Sequence, residues 1–170
     1  MERGAIRPLD PASEDEIDWV ARGMRQTLIE VEGEAAGTAL YTLGWLRDRV
    51  RFHLDAHQCT GQVWVAEAAP GVLLGHTIVR VETDDTGRRF GLFSTTYVAP
   101  AQRRGGWASQ LLRQGEAWMR ERGLPEAATW TSATNTPLIR LYARHGYAET
   151  ADHVHEVTAT RMVRLARPLA

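Results

Sequence analysis

Apolar residues return at helical spacing from Ile17 through Val20, Ala21, Met24 and Leu28 to Val31, which predicts one helix from about residue 14 to residue 32. Ser13 and Glu16 stand ahead of it at capping-box spacing, and the run Glu14-Asp15-Glu16 suits the positive end of its dipole. Residues 4–9 read as a short first strand, with Pro8 tolerated near its end. Gly33 and Gly37 bracket a break, after which Leu40, Leu43, Leu46, Val50 and Leu54 mark the inner face of a second helix. The pattern then shortens. Segments 62–69 and 72–81 flank the turn Pro70-Gly71 as a hairpin, and 88–98 follows the turn at 83–87 as a third antiparallel strand. Its stretch 91–98 alternates poorly, as a strand covered on both faces does. In the next helix Trp107, Ala108, Leu111, Leu112, Gly115, Trp118 and Met119 form the inner side. Ser109, Gln110, Arg113, Gln114, Glu116 and Arg120 form its outer side. Gly123 and Pro125 stop it. Residues 127–132 read as a strand, and Thr136-Pro137 starts a short helix that Gly146 ends. Segments 147–150 and 160–166 read as two last strands joined by a polar segment. This order predicts an α+β fold: a central mixed, mostly antiparallel sheet of six to seven strands, about four helices on its two faces, and a single domain over 1–170.

Composition narrows the function classes. A formal charge of −1 gives no overall attraction to nucleic acid. No apolar run approaches the ~20 residues that span a bilayer, and the acidic, proline-containing start is not a signal peptide. A lone cysteine, Cys59, cannot close an internal disulfide, which points to a reducing, cytoplasmic setting. The basic residues are all arginine, a bias of an alanine- and arginine-rich, bacterial kind of proteome, and lysine nucleophiles are thereby excluded.

The chemistry gathers at residues 98–112. A β-branched and aromatic run passes through Pro100 and the basic turn Arg103-Arg104-Gly105-Gly106 into a helix. Strand, glycine turn and helix N-terminus together present backbone N–H groups to an anion. A nucleoside-triphosphate loop requires a lysine after its last glycine, and none exists here. A dinucleotide fingerprint requires three spaced glycines in an alternating βαβ unit, whereas the strands before this turn form hairpins. Arg103-x-x-Gly106-x-Ala108, preceded by Val98-x-Pro100 and followed by Ser109 and Leu111-Leu112, resembles instead the pyrophosphate loop of the GNAT superfamily of N-acetyltransferases. About thirty residues on, Asn135, then Leu141-Tyr142, then Gly146-Tyr147, resemble that superfamily's second signature.

The resemblance implies a GNAT-like fold that binds acetyl-coenzyme A as cosubstrate, with no metal. It implies transfer of the acetyl group to a primary amine of a small molecule or peptide, by direct attack in a ternary complex. The backbone of Thr96, Tyr97 and Val98 would pair with the pantetheine arm. The amides of Arg104, Gly105, Gly106, Trp107, Ala108 and Ser109 would hold the pyrophosphate, with Arg103 and Arg104 adding charge. The Trp107 indole would pack inward while its amide donates. Asn135 would bond the pantetheine arm or order its own turn. Tyr142 would protonate the departing thiolate, because a phenol with a pKa of about 10 keeps its proton at neutral pH. Relatives that acetylate protein N-termini often carry a glutamate five residues before the asparagine; Trp130 stands there, against that acceptor class.

The general base is open among His76, Glu82, Asp152, His153 and His155. His153-x-His155 is too sparse a set for a metal. Trp19, Tyr41 and Trp45 are candidates for an aromatic acceptor pocket. Arg47, Arg49 and Arg51 either select an acidic acceptor or form a solvated face, with Arg51 and Asp55 at i,i+4 pairing distance. The alternative to an enzyme is a non-catalytic module that keeps coenzyme A as a sensor ligand. The exposed last strand would permit a homodimer.

Overall fold

A computed structural model describes residues 4–170; Met1 to Arg3, where the reading of the N-terminus begins, lie outside the described residues. A sheet of seven strands runs through the molecule: β1 (Ala5–Pro8), β2 (Gly61–Ala69), β3 (Val72–Thr83), β4 (Arg89–Val98), β5 (Glu126–Ser132), β6 (Ala148–Val154) and β7 (Arg161–Pro168). Its order is β1-β2-β3-β4-β5-β7-β6, and only the β4–β5 pair is parallel. The helices are α1 (Glu14–Glu32), α2 (Glu34–Leu40), α3 (Leu43–Leu54), α4 (Trp107–Glu121) and α5 (Thr136–Arg144).

Alternation along β2 sorts the two faces. Val63 and Val65 join Ile17, Val20 and Leu46 in one cluster beneath α1 and α3. Trp64 joins Phe93, Leu112, Trp118, Met119 and Tyr142 in another beneath α4 and α5. A strand with apolar residues facing both ways needs helices on both faces, and the layer order follows.

Helix α1 has the predicted bounds, and Ser13 Oγ accepts from the Glu16 amide at 3.2 Å. The capping box is only half made, because the Glu16 carboxylate binds Arg7 at 2.9 Å and the Asp10 amide at 3.0 Å instead. The expected second helix is two helices. The chain breaks at Gly33, whose φ is 90°, and again at Tyr41–Thr42, where Thr42 Oγ1 accepts from the Trp45 amide at 3.0 Å and opens α3. Gly37 is no break. It lies inside α2, where a Cβ would stand 2.5 Å from the Ile29 backbone, so it lets α2 lie directly on α1.

Three expectations about surfaces are corrected. Glu116 of α4 is only 3% exposed: it accepts from the Tyr147 hydroxyl at 2.8 Å and has Arg167 3.5 Å away. Arg51 does not pair with Asp55; it binds Asp48 at 3.0 Å and also Glu14. The last strand, β7, is internal, between β5 and β6, so β6 is the exposed edge.

Candidate active site

The parallel pair β4–β5 holds for three residue pairs, Gly91–Ala127, Leu92–Ala128 and Phe93–Thr129, and then opens. Its last tie is the Thr129 hydroxyl, which donates to the Phe93 carbonyl at 3.0 Å. The next residue, Ser94, is skipped in the ladder with β3, where Val79 opposes Phe93 and Ile78 opposes Thr95. An extra residue of this kind bends a strand, and here β4 leaves β5 at that residue. A cavity of about 320 Å³ opens there, walled by Ser94, Thr95 and Thr96 on one side and by Thr129 to Ser132 on the other.

Beyond Ser94, Thr95 accepts at its carbonyl from Thr77 of β3, and the Ala99 amide donates to Leu74 of β3 at 2.8 Å. Alternation then turns the backbone of Thr96 and Val98 toward the gap, and that of Tyr97 toward β3. Apart from the Val98 carbonyl, which accepts from Arg103, the gap side of β4 is a strand edge with no partner, the feature to which an extended chain adds by hydrogen bonding.

At the end of β4 the chain makes a short 3₁₀ turn and a second, tighter one. Arg104 has φ 70° and Gly106 has φ 82°, both left-handed. Gly106 caps α4 without any side-chain hydrogen bond. The amides of Arg104, Gly105, Gly106, Trp107, Ala108 and Ser109 donate to no acceptor among the described residues. Six consecutive free donors, wound around two left-handed residues onto a helix N-terminus, form a concave anion cradle. Gly106 is the residue at which this conformation costs nothing, whereas Arg104 bears it at roughly 1–2 kcal/mol.

The two arginines of the turn divide. Arg103 is tied down: Nε donates to the Val98 carbonyl at 2.8 Å, and the guanidinium chelates Glu30 at 2.8 and 3.0 Å over the Tyr97 ring. It clamps the turn to α1. Arg104 is exposed and forms no ion pair among the described residues. The Trp107 indole packs inward with Ala66, Leu74, Val98 and Leu111. Ser109 Oγ meets the His145 ring nitrogen at 3.0 Å.

Tyr142 lines the same cavity near the point where the strands part. It is 1% exposed, with Phe93 edge-on at 5.9 Å and Tyr147 edge-on at 4.7 Å. Burial pushes its phenol above the ordinary tyrosine range, while the Thr96 and Thr129 hydroxyls beside it pull the other way. Tyr142 is therefore a protonated phenol at neutral pH. Asn135 also faces the cavity and donates to Thr131 Oγ1 at 3.1 Å, bracing the turn from β5 into α5.

Thr129 is a site residue that sequence reading misses. Its one mark in the sequence is the alternation of Thr129 with Thr131 along the strand.

The five candidate bases fare differently. His76 is buried beneath α1, its Nε2 on Thr95 Oγ1 at 2.7 Å, and burial lowers it to about 3. Glu82 is ion-paired with Arg80, and Asp152 with Arg161 at 3.1 Å. His153 packs against Trp130 on the edge strand. His155 alone lines the cavity, but its Nδ1 accepts from the Val157 and Thr158 amides at 3.2 and 3.3 Å. That pins the neutral ring as the Nε2–H tautomer, so no basic nitrogen is free. Glu32, to which the sequence did not point, is the carboxylate on the cavity wall among the described residues. No group of three or more metal-ligating side chains exists among the described residues. Of the aromatic candidates, Tyr41 and Trp45 line the cavity, whereas Trp19 packs on His76 and Tyr97.

Comparison with known proteins agrees with this geometry. The chain is 41% identical over 54 residues to the aminoglycoside N(6')-acetyltransferase type 1 of Serratia marcescens, a match spanning 32% of this chain and 37% of that enzyme. The NatC complex bound to Gag peptide and coenzyme A contains a chain with the same fold, at 16% identity and TM-score 0.77, covering 99% of this chain and 100% of that one. A Salmonella typhimurium structure solved with its cofactor acetyl-CoA matches at 19% identity and TM-score 0.71, over 99% of this chain and 95% of that one. The ribosomal-protein-S18-alanine N-acetyltransferase of Escherichia coli matches at 15% identity and TM-score 0.67, over 98% and 94%. The profile of the acetyltransferase (GNAT) family matches residues 38–147, a span that holds the splayed strands, the amide cradle and Tyr142, and the chain belongs to that family.

Proposed function

We propose that the protein transfers the acetyl group of acetyl-coenzyme A to a primary amine within a ternary complex. The observation that carries this reading is the joining of three features in one place: an unpaired strand edge, a cradle of six free amides at its end, and a buried phenol where the strands part. A pyrophosphate fits the cradle, and an extended amide-bearing arm fits the edge at Thr96 and Val98. Arg104 adds charge at the phosphates in this reading, and Arg103, tied to Val98 and Glu30, steadies the turn. The cosubstrate supplies a thioester activated toward nucleophiles.

The amine nitrogen bonds the acetyl carbon as the carbon–sulfur bond breaks, and the sulfur takes the Tyr142 proton. The nitrogen sheds its proton as the amide forms, and that proton restores the Tyr142 phenol, so amide, free thiol and neutral phenol leave in balance. Tyr142 suits the donor role because burial opposes its ionisation until the thiolate forms beside it. Both basic groups on the cavity wall are engaged, the Glu32 carboxylate by the Thr160 hydroxyl and His155 Nδ1 by two backbone amides, so the ammonium proton leaves to water before attack.

Tyr142→Phe should keep coenzyme A binding within about twofold and lower turnover at least tenfold, roughly what one general acid contributes. Thiol release with a panel of amines measures it. Undiminished turnover in that variant would remove Tyr142 from the chemistry. Failure of every amine to release thiol, with coenzyme still bound, would leave only a sensor module. The setting we infer is a bacterial cytoplasm, and a homodimer through the exposed edge of β6 suits the same reading.

A further inference from the structure

Three arginines alternate along α3, and the fold treats them unequally. Arg47 pairs with Asp18 at 2.7 Å, a carboxylate it shares with Arg22, and Arg51 pairs with Asp48 and Glu14. Arg49 lies between them, half-buried on the cavity wall, and no carboxylate or carbonyl accepts from its guanidinium among the described residues. It rests over the Phe52 ring at 4.3 Å. Burial lowers its pKa and nearby Arg80 acts the same way, with Cys59, Glu82 and Tyr41 opposing them. A desolvated guanidinium without a counter-ion is a costly arrangement, and an anionic ligand removes the cost.

A second observation stands beside it. Tyr41 and Trp45 stack at 4.2 Å with 13° between their planes, and Trp45 remains 45% exposed. The pair forms a flat aromatic slab on the cavity wall, next to Leu28 and Val31. Among the described residues the single carboxylate there is Glu32, which takes the Thr160 hydroxyl on both oxygens at 3.0 Å. One acid and one uncompensated guanidinium do not build a site for a polycation.

We propose that the acetyl acceptor is a small primary amine bearing a carboxylate and an aromatic or bulky apolar group, an amino-acid-like molecule. Arg49 holds its carboxylate, and the Tyr41–Trp45 slab packs its apolar body. A single guanidinium matches one negative charge, which favours a carboxylate over a doubly charged phosphate monoester. This inference rests on the transferase reading of the cleft.

The test uses matched amines: phenylalanine with phenethylamine, tryptophan with tryptamine, and phosphoethanolamine and an aminoglycoside as contrasts. Thiol release gives kcat/KM, and calorimetry gives binding to the coenzyme A-loaded protein. The carboxylate-bearing member of each pair should be preferred at least tenfold, the worth of one charge-assisted hydrogen-bonded contact. In Arg49→Met that preference should fall to within about threefold, mainly through KM, and Arg49→Lys should recover part of it. Trp45→Ala should raise KM for phenylalanine more than for alanine. Preference for the carboxylate-free amines, the phosphorylated amine or the aminoglycoside overturns the inference, as does an Arg49→Met variant that weakens both members of a pair equally. If no amine releases thiol, the transferase reading fails separately. Calorimetry then decides alone: tighter binding of the carboxylate member, lost in Arg49→Met, sustains the Arg49 site, and equal binding removes it.

Discussion

Two histidines tie the stability of this protein to pH. His53 is buried, its Nδ1–H donating to the Arg49 carbonyl at 2.8 Å and its Nε2 accepting from Arg80 at 3.0 Å. Burial lowers it to about 4, and lowers His76 to about 3. The unfolded chain takes up protons near pH 6.5 that the folded chain refuses until those lower values. Their contribution is therefore whole above pH 6.5 and is lost as pH falls toward 4 and 3. The loss runs at roughly a kcal/mol per pH unit for each ring. Urea midpoints measured from pH 7.5 to 4.5 should fall steadily below pH 6.5, and His76→Leu should flatten that fall even if it lowers the plateau. Neither ring was legible as buried in the sequence, because a histidine in a strand or helix pattern is marked only by neighbours that folding brings. Glu116 went unread for the same reason. Its partners Tyr147 and Arg167 come from segments far along the chain.

Between helix and strand, closeness of approach sets the geometry of the site. Helix α4 meets β4 at Gly115, where a Cβ would stand 2.3 Å from the Phe93 ring and 3.1 Å from Val79. Gly115→Ala should cost roughly 1–3 kcal/mol by overpacking, despite the better helix propensity of alanine. A lowered melting temperature with an intact helical spectrum would show it, and a stabilised variant would disprove the tight contact. Long elements with an unbroken period, such as α1 and α4, were legible to within a residue or two. The break at Tyr41–Thr42 was not, since Leu40, Leu43 and Leu46 keep helical spacing across it and only the Thr42 cap marks the restart. β6 was read short because every residue in it is exposed, so no apolar alternation announces it. The glycine turn onto a helix start was legible as a run of exposed backbone amides. The tethering of Arg103 was not, because Glu30 lies 73 residues away.

Across the whole molecule, the hairpin ladder β1–β4 and the three-stranded group β5-β7-β6 meet at only the three residue pairs before Ser94. The sequence could name the strands on either side, but the opening follows from a skipped residue and the order of pairing, neither of which is written in local periodicity. Such a sheet is two plates joined by a short seam. Whatever lies along the free edge of β4 becomes the missing rung of the ladder, and the bound molecule is then part of the scaffold that binds it. Amide exchange should show this directly. The amides of Arg104 to Ser109 and the gap-side amides of Thr96 and Val98 should exchange fast in the free protein. Coenzyme A should slow them at least tenfold, together with seam amides in β5 that no ligand atom touches. Slowing confined to the turn would mean that the plates stay independent. A molecule stiffened by its own cosubstrate would present a finished acceptor cavity only after the donor has docked, which makes the order of arrival a property of the sheet.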